Sequence, residues 1–418
     1  MEYGLIGAKL GHSYSKLIHE QLCGYRYDLC PLPTEAEARA FMQKRPFKAI
    51  NVTIPYKKLV MEYCTYIDPK AKAIGAVNTV INKNGLLFGY NTDYLGFSYL
   101  CDAHGVDFVG KTVLILGTGG THNTTRAVAL DKGAARILTA SRHPKGDELS
   151  YEQAAHCGAQ IVINATPAGM YPDVGVCYLD VAAMPGLEAV LEVIYNPERT
   201  ELLLRAEEAG VPIIASGMEM LVSQALYSAE YFLGQKFEDA PGDIRRIAAS
   251  IRQETLNIAL IGMPSCGKST LGRLLAKQMQ RPFVDLDEEI VKADGRSIPE
   301  IFAAEGEAGF RAKETAAAQR FGKEKGLLIS CGGGIVLRPE NLRALRQNGV
   351  VLFLDRPLDE LSIGGDRPLS SSMDALRQME AQRRPLYLAA ADAVVPNTGS
   401  INTALCRAKE ALHEIFDP

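Results

Sequence analysis

The sequence predicts an α/β protein with parallel sheets, and three observations predict it. Short apolar runs of strand length alternate with stretches of helical periodicity along nearly the whole chain. Two of these runs, at 112–116 and 257–261, end in glycine-rich turns that open a helix, the strand–turn–helix order that holds phosphate groups. The length, 418 residues, exceeds one ordinary domain, so two or three are expected.

The composition narrows the class. A hydrophobic fraction of 47% and a charged fraction of 22% are those of globular protein. The net charge is −4 with no basic run, which argues against nucleic acid as a partner. No apolar stretch approaches membrane-spanning length, and the opening MEYGLIG reads as a strand, not as a signal peptide. Nine cysteines lack C-x-x-C spacing, so free thiols and a cytoplasmic location are expected, and Cys266 reads as a small residue that fits its loop.

The first 105 residues read as strands at 3–6, 27–32, 48–54, 76–82 and 86–90, and helices at 14–22 and 34–43. Thr34 with Glu37 three residues on forms a capping-box signature, and Asn84-Gly85 is a hairpin turn signal. Four polar clusters punctuate the region: His12-Ser13-Tyr14-Ser15, Asn51 to Lys57, Gly75 to Thr79, and Asn91-Thr92-Asp93. In extended chain, residues two apart face one way, so Ser13 with Ser15 and Asn51 with Thr53 would each present a polar pair. Such pairs suit a small ligand rich in hydroxyl and carboxylate groups. Lys57 and Asp93 are the members suited to moving a proton.

From Lys111 a βαβ unit follows: a strand at 112–116, the turn Gly117-Thr-Gly119-Gly120-Thr121, a helix through Ala134, and a strand at 136–140. This is a dinucleotide-binding arrangement, with His122 where a third glycine or alanine is usual. Ser141-Arg142-His143-Pro144-Lys145 closes the second strand where an NAD site has a carboxylate, and a cation there favours NADP(H). Further strands at 160–164 and 190–194 end in loops, Thr166 to Gly169 and Tyr195 to Pro197. Helices follow at 201–208 and 218–233, where Gln224 is either a helix-surface residue or a ligand contact.

Residues 237–243 read as the end of this part, 244–254 as a connecting or terminal helix, and the next domain begins near Leu256. Gly262, Gly267, Lys268 and Ser269 fill the spacing G-x-x-x-x-G-K-[ST], followed by Thr270 and by Leu271, Leu274, Leu275 and Met279 on one expected helix face. Backbone N–H groups turn inward around phosphate oxygens there, Lys268 reaches the terminal phosphates, and the Ser269 hydroxyl can hold Mg2+. The run 282–287 reads as a strand ending in two carboxylates, Asp285 and Asp287, on the same side. Strands at 327–330 and 350–354, a glycine run at 332–334, a loop at 364–368 containing Arg367, and the segment 383–387 complete the domain.

These motifs resemble two families. HSYS, NVTIPYK, GAVNT, NTD, GTGGT, INATPAGM, YNPERTELL and MLVSQA, in that order, resemble shikimate dehydrogenase over about 250 residues. GMPSCGKST, DLD, GEAGFR, GGG, DRPL and RRPLY resemble shikimate kinase from 256 to about 400. The resemblance implies that Ser13, Ser15, Asn51, Thr53, Asn78, Asp93 and Gln224 bind 3-dehydroshikimate and that Lys57 and Asp93 are the catalytic pair. Tyr195 and Gly217 would lie near the nicotinamide, with Gly117, Gly119, Gly120, Thr121, Ser141 and Arg142 on the dinucleotide. In the second part Lys268 would stabilise the transferring phosphoryl group of ATP, Gly262, Gly267 and Thr270 would line its phosphates, and Ser269 and Asp285 would hold Mg2+. Asp287, Arg311, Gly333, Gly334 and Arg383 would bind shikimate, with Asp287 at its 3-hydroxyl and Arg367 on a closing lid.

The chain departs from these families at three places. His122 and Asn123 stand where small residues and then a basic one are usual, Glu192 replaces an aspartate, and 361–365 lacks the arginine that contacts adenine. The expected organisation is a dehydrogenase substrate domain at 1–105 with about 218–250, a Rossmann NADP-binding domain at 106–217, and a P-loop kinase domain at 256–418. The expected protein is a bifunctional enzyme of aromatic amino-acid biosynthesis, monomer or homodimer. The alternative is a quinate/shikimate dehydrogenase preferring NAD, fused to an inactive or regulatory kinase-like module.

Overall fold

A computed structural model describes residues 1–11, 13–361 and 372–416. Cα packing divides the chain into two compact units. One comprises Met1–Met170, Gly175–Tyr195 and Glu201–Ala248, and the other Tyr171–Val174, Asn196–Thr200 and Ala249–Pro418.

The first unit contains two sheets. The strands of the first are β1 (Tyr3–Gly7), β2 (Tyr27–Pro31), β3 (Ala49–Val52), β4 (Tyr66–Ile67), β5 (Thr79–Lys83) and β6 (Leu86–Tyr90), in the order β2-β1-β3-β5-β6-β4. β1 pairs in parallel with β2 and β3, whereas β5 runs antiparallel to both β3 and β6. Asn84 and Gly85 take positive φ in the β5–β6 turn, as the Asn-Gly signal predicts. The strand expected at 48–54 is shorter, and the one expected at 76–82 begins only at Thr79. The capping box of Thr34 and Glu37 is formed.

The second sheet is wholly parallel: β7 (Thr112–Leu116), β8 (Arg136–Ala140), β9 (Ile161–Asn164), β10 (Ala189–Glu192) and β11 (Ile213–Ala215), in the order β11-β10-β9-β7-β8. Val113, Leu114, Ile115, Val162 and Ile163 are wholly buried, because helices cover both faces and a continuous apolar run is then required. Chain order reverses at β7, which lies between β8 and β9. The crevice beyond the carboxyl ends of β7 and β9 is the place where such sheets bind ligands.

The second unit holds a third parallel sheet, β12 (Asn257–Ile261), β13 (Phe283–Asp285), β14 (Leu328–Ser330), β15 (Gly349–Asp355) and β16 (Ala393–Pro396), in the order β13-β14-β12-β15-β16. The strand expected at 282–287 stops at Asp285. Asp285 caps a helix, Leu286–Asp294, by accepting from the Asp287 N–H, so the two carboxylates sit on a cap and a first helical turn and not on one strand face. Leu271 and Leu275 are buried, but Leu274 is 36% exposed, so it leaves the core face expected of it. The helix expected from Ile244 begins at Ala240, since Pro241 is tolerated in a first turn. Among the described residues no helix is long and apolar enough to cross a membrane.

Candidate active sites

In the first unit Asn91 caps the helix Thr92–Ala103, its side chain accepting from Tyr94 N at 3.1 Å. Asp93 therefore falls in a first turn, where the helix dipole favours a carboxylate. Lys57 Nζ donates to Asp93 Oδ2 at 2.6 Å, and the two side chains keep 28% and 18% of their surface exposed, so a ligand can reach both. Asn78 is tied to the same helix: its Oδ1 accepts from Thr92 N at 2.7 Å and its Nδ2 donates to Thr92 Oγ1 at 3.1 Å.

Asn51 is placed differently from the outward-facing pair expected with Thr53. It is buried, its Oδ1 accepts from the Tyr27 hydroxyl at 2.7 Å, and its Nδ2 faces Thr79 Oγ1, the Asn78 carbonyl and Ser228 Oγ. An amide has two N–H groups, and protein acceptors take both. Thr53 is half-buried beside it in sequence. Ser13 and Ser15 stand together as expected, hydroxyl to hydroxyl at 3.0 Å; His12 lies outside the described residues. Gln224 is half-buried on the helix Met218–Leu233, and its Nε2 donates to the Leu221 carbonyl at 2.9 Å. The Tyr195 ring meets Tyr14 edge-on at 5.8 Å, and burial pushes its phenol above the ordinary value, so the hydroxyl is neutral. The structure thus joins Lys57, Asp93 and Asn78 through Thr92–Asp93, and Tyr195 to the segment of Ser13 and Ser15.

The glycine-rich turn follows β7 directly. Gly117 has φ +92°, and a Cβ there would come 2.5 Å from Thr166 Cγ2 across the crevice, so only glycine fits. Gly119 caps the helix Gly120–Asp131, in which Thr121 occupies the first turn. His122, where a small residue was expected, turns to β8 and places Nε2 2.9 Å from Thr139 Oγ1. Ser141 is buried and donates to Glu148 Oε2 at 2.8 Å, closing the loop after β8. Arg142 projects from that loop exposed, over the Tyr178 ring at 5.9 Å, and forms no ion pair among the described residues. On the far side of the crevice Asn164 donates to both Glu192 oxygens at 3.0 Å and accepts from Thr166 Oγ1 at 2.7 Å. The longer Glu192 side chain therefore meets the end of β9, and Asn164 in turn holds the Thr166 loop that faces Gly117. Gly217 donates to the Ile194 carbonyl at 2.8 Å, and a Cβ on it would lie 2.4 Å from the Val193 carbonyl. A helix N-terminus, a turn that excludes side chains and a free cation at the end of β8 fit a phosphorylated dinucleotide.

In the second unit a cavity of about 340 Å³ opens at the carboxyl ends of β12, β13 and β14. Gly267, at φ +97°, caps the helix Lys268–Met279. Lys268 is buried, and its Nζ donates to the carbonyls of Gly262 (3.0 Å) and Met263 (2.9 Å) within its own loop. Ser269 Oγ donates to Asp285 Oδ2 at 2.6 Å and lies 3.2 Å from Ser330 Oγ. Thr270, Asp287, Gly333 and Gly334 line the same cavity. Arg311 and Arg383 are buried in its wall. Arg383 Nη1 donates to the Gly333 carbonyl at 3.0 Å, while its Nε has no hydrogen-bond partner among the described residues. Arg311 Nη1 donates to Glu314 Oε2 at 2.8 Å. Burial pushes the Glu314 carboxyl up, against the pull of Arg311, and Glu314 Oε1 faces no partner among the described residues. Unsatisfied buried donors and acceptors in a cavity wall fit a ligand carrying both carboxylate and hydroxyl. Ser269 and Asp285 fit Mg2+, which takes few protein ligands beside phosphate and water. Arg367 lies outside the described residues. Glu314 went unread in the sequence; its signal is the spacing of three from Arg311 on one helix.

Fold and sites define a two-part α/β protein, one part with a glycine-rich turn that fits a dinucleotide and the other with a glycine-rich loop that fits a nucleoside triphosphate. Family models match the "Shikimate dehydrogenase substrate binding domain" over residues 5–80 and "Shikimate kinase" over 264–416. The chain is 34% identical over 244 residues to the shikimate dehydrogenase (NADP(+)) of Clostridium beijerinckii, covering 54% of this chain and 90% of that protein. It is similar to the crystal structure of a chorismate mutase/shikimate 5-dehydrogenase fusion protein from Clostridium acetobutylicum, with TM-score 0.55, 32% identity, 60% of this chain and 98% of that one. It is also similar to shikimate 5-dehydrogenase from Thermus thermophilus in complex with NADP(H) and shikimate, with TM-score 0.53, 26% identity, 60% of this chain and 99% of that one. The chain belongs to the shikimate dehydrogenase family, and its C-terminal region is a shikimate kinase domain.

Proposed function

We propose that this chain carries two activities: reduction of 3-dehydroshikimate to shikimate with NADPH, and phosphorylation of shikimate at its 3-hydroxyl with MgATP. The division we propose for them is 1–105 with about 218–250 for the first substrate, 106–217 for the dinucleotide and 256–418 for the kinase. The observation that carries the reading is that both units bring their chemical groups into contact, Lys57 with Asp93 at 2.6 Å and Ser269 with Asp285 at 2.6 Å.

When bound, NADPH supplies a hydride and MgATP a phosphoryl group. Lys57 donates to the ketone oxygen and stabilises the charge that develops on it, and Asp93 orients the ammonium through its hydrogen bond. Asn78, Ser13, Ser15, Thr53 and Gln224 hold the ring substituents, while Asn51 acts from beneath by holding Asn78 and Thr79. Arg142 pairs with a 2′-phosphate. In the kinase, Asp287 accepts the hydroxyl proton, Arg311 and Arg383 grip the carboxylate, and Lys268 neutralises phosphoryl oxygens. Positioning and charge suffice for so loose a transition state. Ser269 and Asp285 would hold the metal, and Arg367, outside the described residues, would add a cation.

Two assays on the purified chain test this. One follows shikimate-dependent NADP+ reduction and the other shikimate-dependent ADP release. Lys57→Ala abolishes the first alone and Lys268→Met the second alone. Loss of both in either variant, or of neither, contradicts the assignment.

A further inference from the structure

The helix Met373–Ala390 supplies Arg383 to the kinase cavity, yet it contains Pro385 in its interior. Proline has no N–H, so the helical bond to the Ala381 carbonyl is missing in the very turn that carries Arg383. A side chain needed at one position in a cavity is thus mounted on a locally weakened helix. The next residue supplies an external tie. Arg384 forks onto Asp355 at the end of β15, Nη1 to Oδ1 at 2.5 Å and Nη2 to Oδ2 at 2.8 Å, and its guanidinium lies over the Phe353 ring at 5.8 Å. The adjacent arginines reach different partners, Arg383 the Gly333 carbonyl in the cavity wall and Arg384 the carboxylate at the end of β15. Tyr387, one turn on, also donates to the Gly333 carbonyl.

We infer that Asp355 and Arg384 are positioning residues of the kinase: their bidentate pair fixes the Pro385 turn so that Arg383 stands over Gly333 in the shikimate subsite. The inference rests on the kinase reading for its substrate, though its geometry does not. The nucleotide side is insulated from it. The Asp355 backbone carbonyl accepts from Asn397 N at 2.7 Å, and the Asn397 side chain donates to the Cys266 carbonyl of the phosphate loop at 2.7 Å. That path runs through the Asp355 backbone, which a side-chain change leaves in place. A planar two-point fork also restricts rotation as a single ammonium cannot.

The test compares Asp355→Asn, Asp355→Glu and Arg384→Lys with the wild type in the full chain. Hydrogen exchange by mass spectrometry reads the geometry without requiring turnover. In Asp355→Asn, exchange in the Met373–Ala390 helix rises about tenfold while the Lys268–Met279 helix is unchanged. Kinetics read the role. KM for shikimate rises about tenfold in Asp355→Asn and Arg384→Lys, KM for ATP stays within twofold, and kcat falls less than threefold. Asp355→Glu restores most of the shikimate KM. Unchanged exchange in the helix overturns the inference, as does a rise in both KM values together. A wild-type chain that turns over no shikimate removes the kinase reading instead, and the exchange result still decides whether the fork holds the helix.

Discussion

Acidification should loosen the first unit through one histidine, His19. It is 1% exposed, its ring stacks on Tyr27 at 4.2 Å with a 7° interplanar angle, and its Nδ1 is 2.7 Å from the Tyr25 hydroxyl. Burial lowers its pKa to about 3, against a smaller opposing effect of Asn51. The unfolded chain holds the ordinary value near 6.5. A lowered pKa means that this contribution is fully present above about 6.5 and is lost as pH falls toward 3. Between those limits the unfolded state binds one proton more, so stability falls about 1.4 kcal/mol per pH unit. From pH 7.5 to pH 5.0 the loss is about 2 kcal/mol, a large part of a typical margin of about 5–15 kcal/mol. Tyr27 also donates to Asn51, so protonation disturbs the support of the Lys57 site as well. The assay is urea unfolding at both pH values, read by hydrogen exchange in peptides from β1 to β3, for the wild type and His19→Phe. The variant loses about 2 kcal/mol less than the wild type on acidification. Equal losses in the two proteins refute the argument.

Three further outcomes follow from the sites. Lys57→Met lowers dehydrogenase kcat by roughly 10²–10⁴-fold, the usual weight of a positioned acid, and leaves ADP release unchanged; steady-state rates of both reactions check it. Arg142→Ala raises KM for NADPH about tenfold, as expected for one lost charge-assisted hydrogen bond, and leaves KM for NADH unchanged. Gly217→Ala sets a Cβ 2.4 Å from the Val193 carbonyl, so backbone must move at a cost of about 1–3 kcal/mol; thermal denaturation and NADPH titration show a weaker first unit with an intact kinase.

Much of the fold is legible because parallel strands buried on both faces must be continuous apolar runs, as at β7 and β12, and because their turns need glycines at set spacing. Lys57 and Asp93 stand out in the sequence as the cluster members suited to moving a proton, and the structure adds the 2.6 Å contact between them. Other features depend on neighbours distant in sequence. Asn51 reads as half of an outward-facing polar pair, and no local pattern shows that Tyr27 and Ser228, 24 and 177 residues away, meet its amide. Phe283-Val284-Asp285 is too short to show by period where strand passes to helix, so the sequence alone extends the strand to Asp287. The helix Thr92–Ala103 buries one face, but Thr92 and Gly96 stand on it beside Phe97, Leu100 and Cys101, so its apolar periodicity is faint. The Asp355–Arg384 fork joins residues 29 apart, and no local pattern announces it.

The central claim is that one chain makes shikimate and then phosphorylates it. The most direct measurement is mass spectrometry of products after incubating the purified chain with 3-dehydroshikimate, NADPH and MgATP, omitting each in turn. The account predicts shikimate 3-phosphate only when both NADPH and ATP are present, and shikimate alone when ATP is left out or when Lys268→Met replaces the wild type. Shikimate that stays unphosphorylated with the complete mixture, or no shikimate at all, would contradict it.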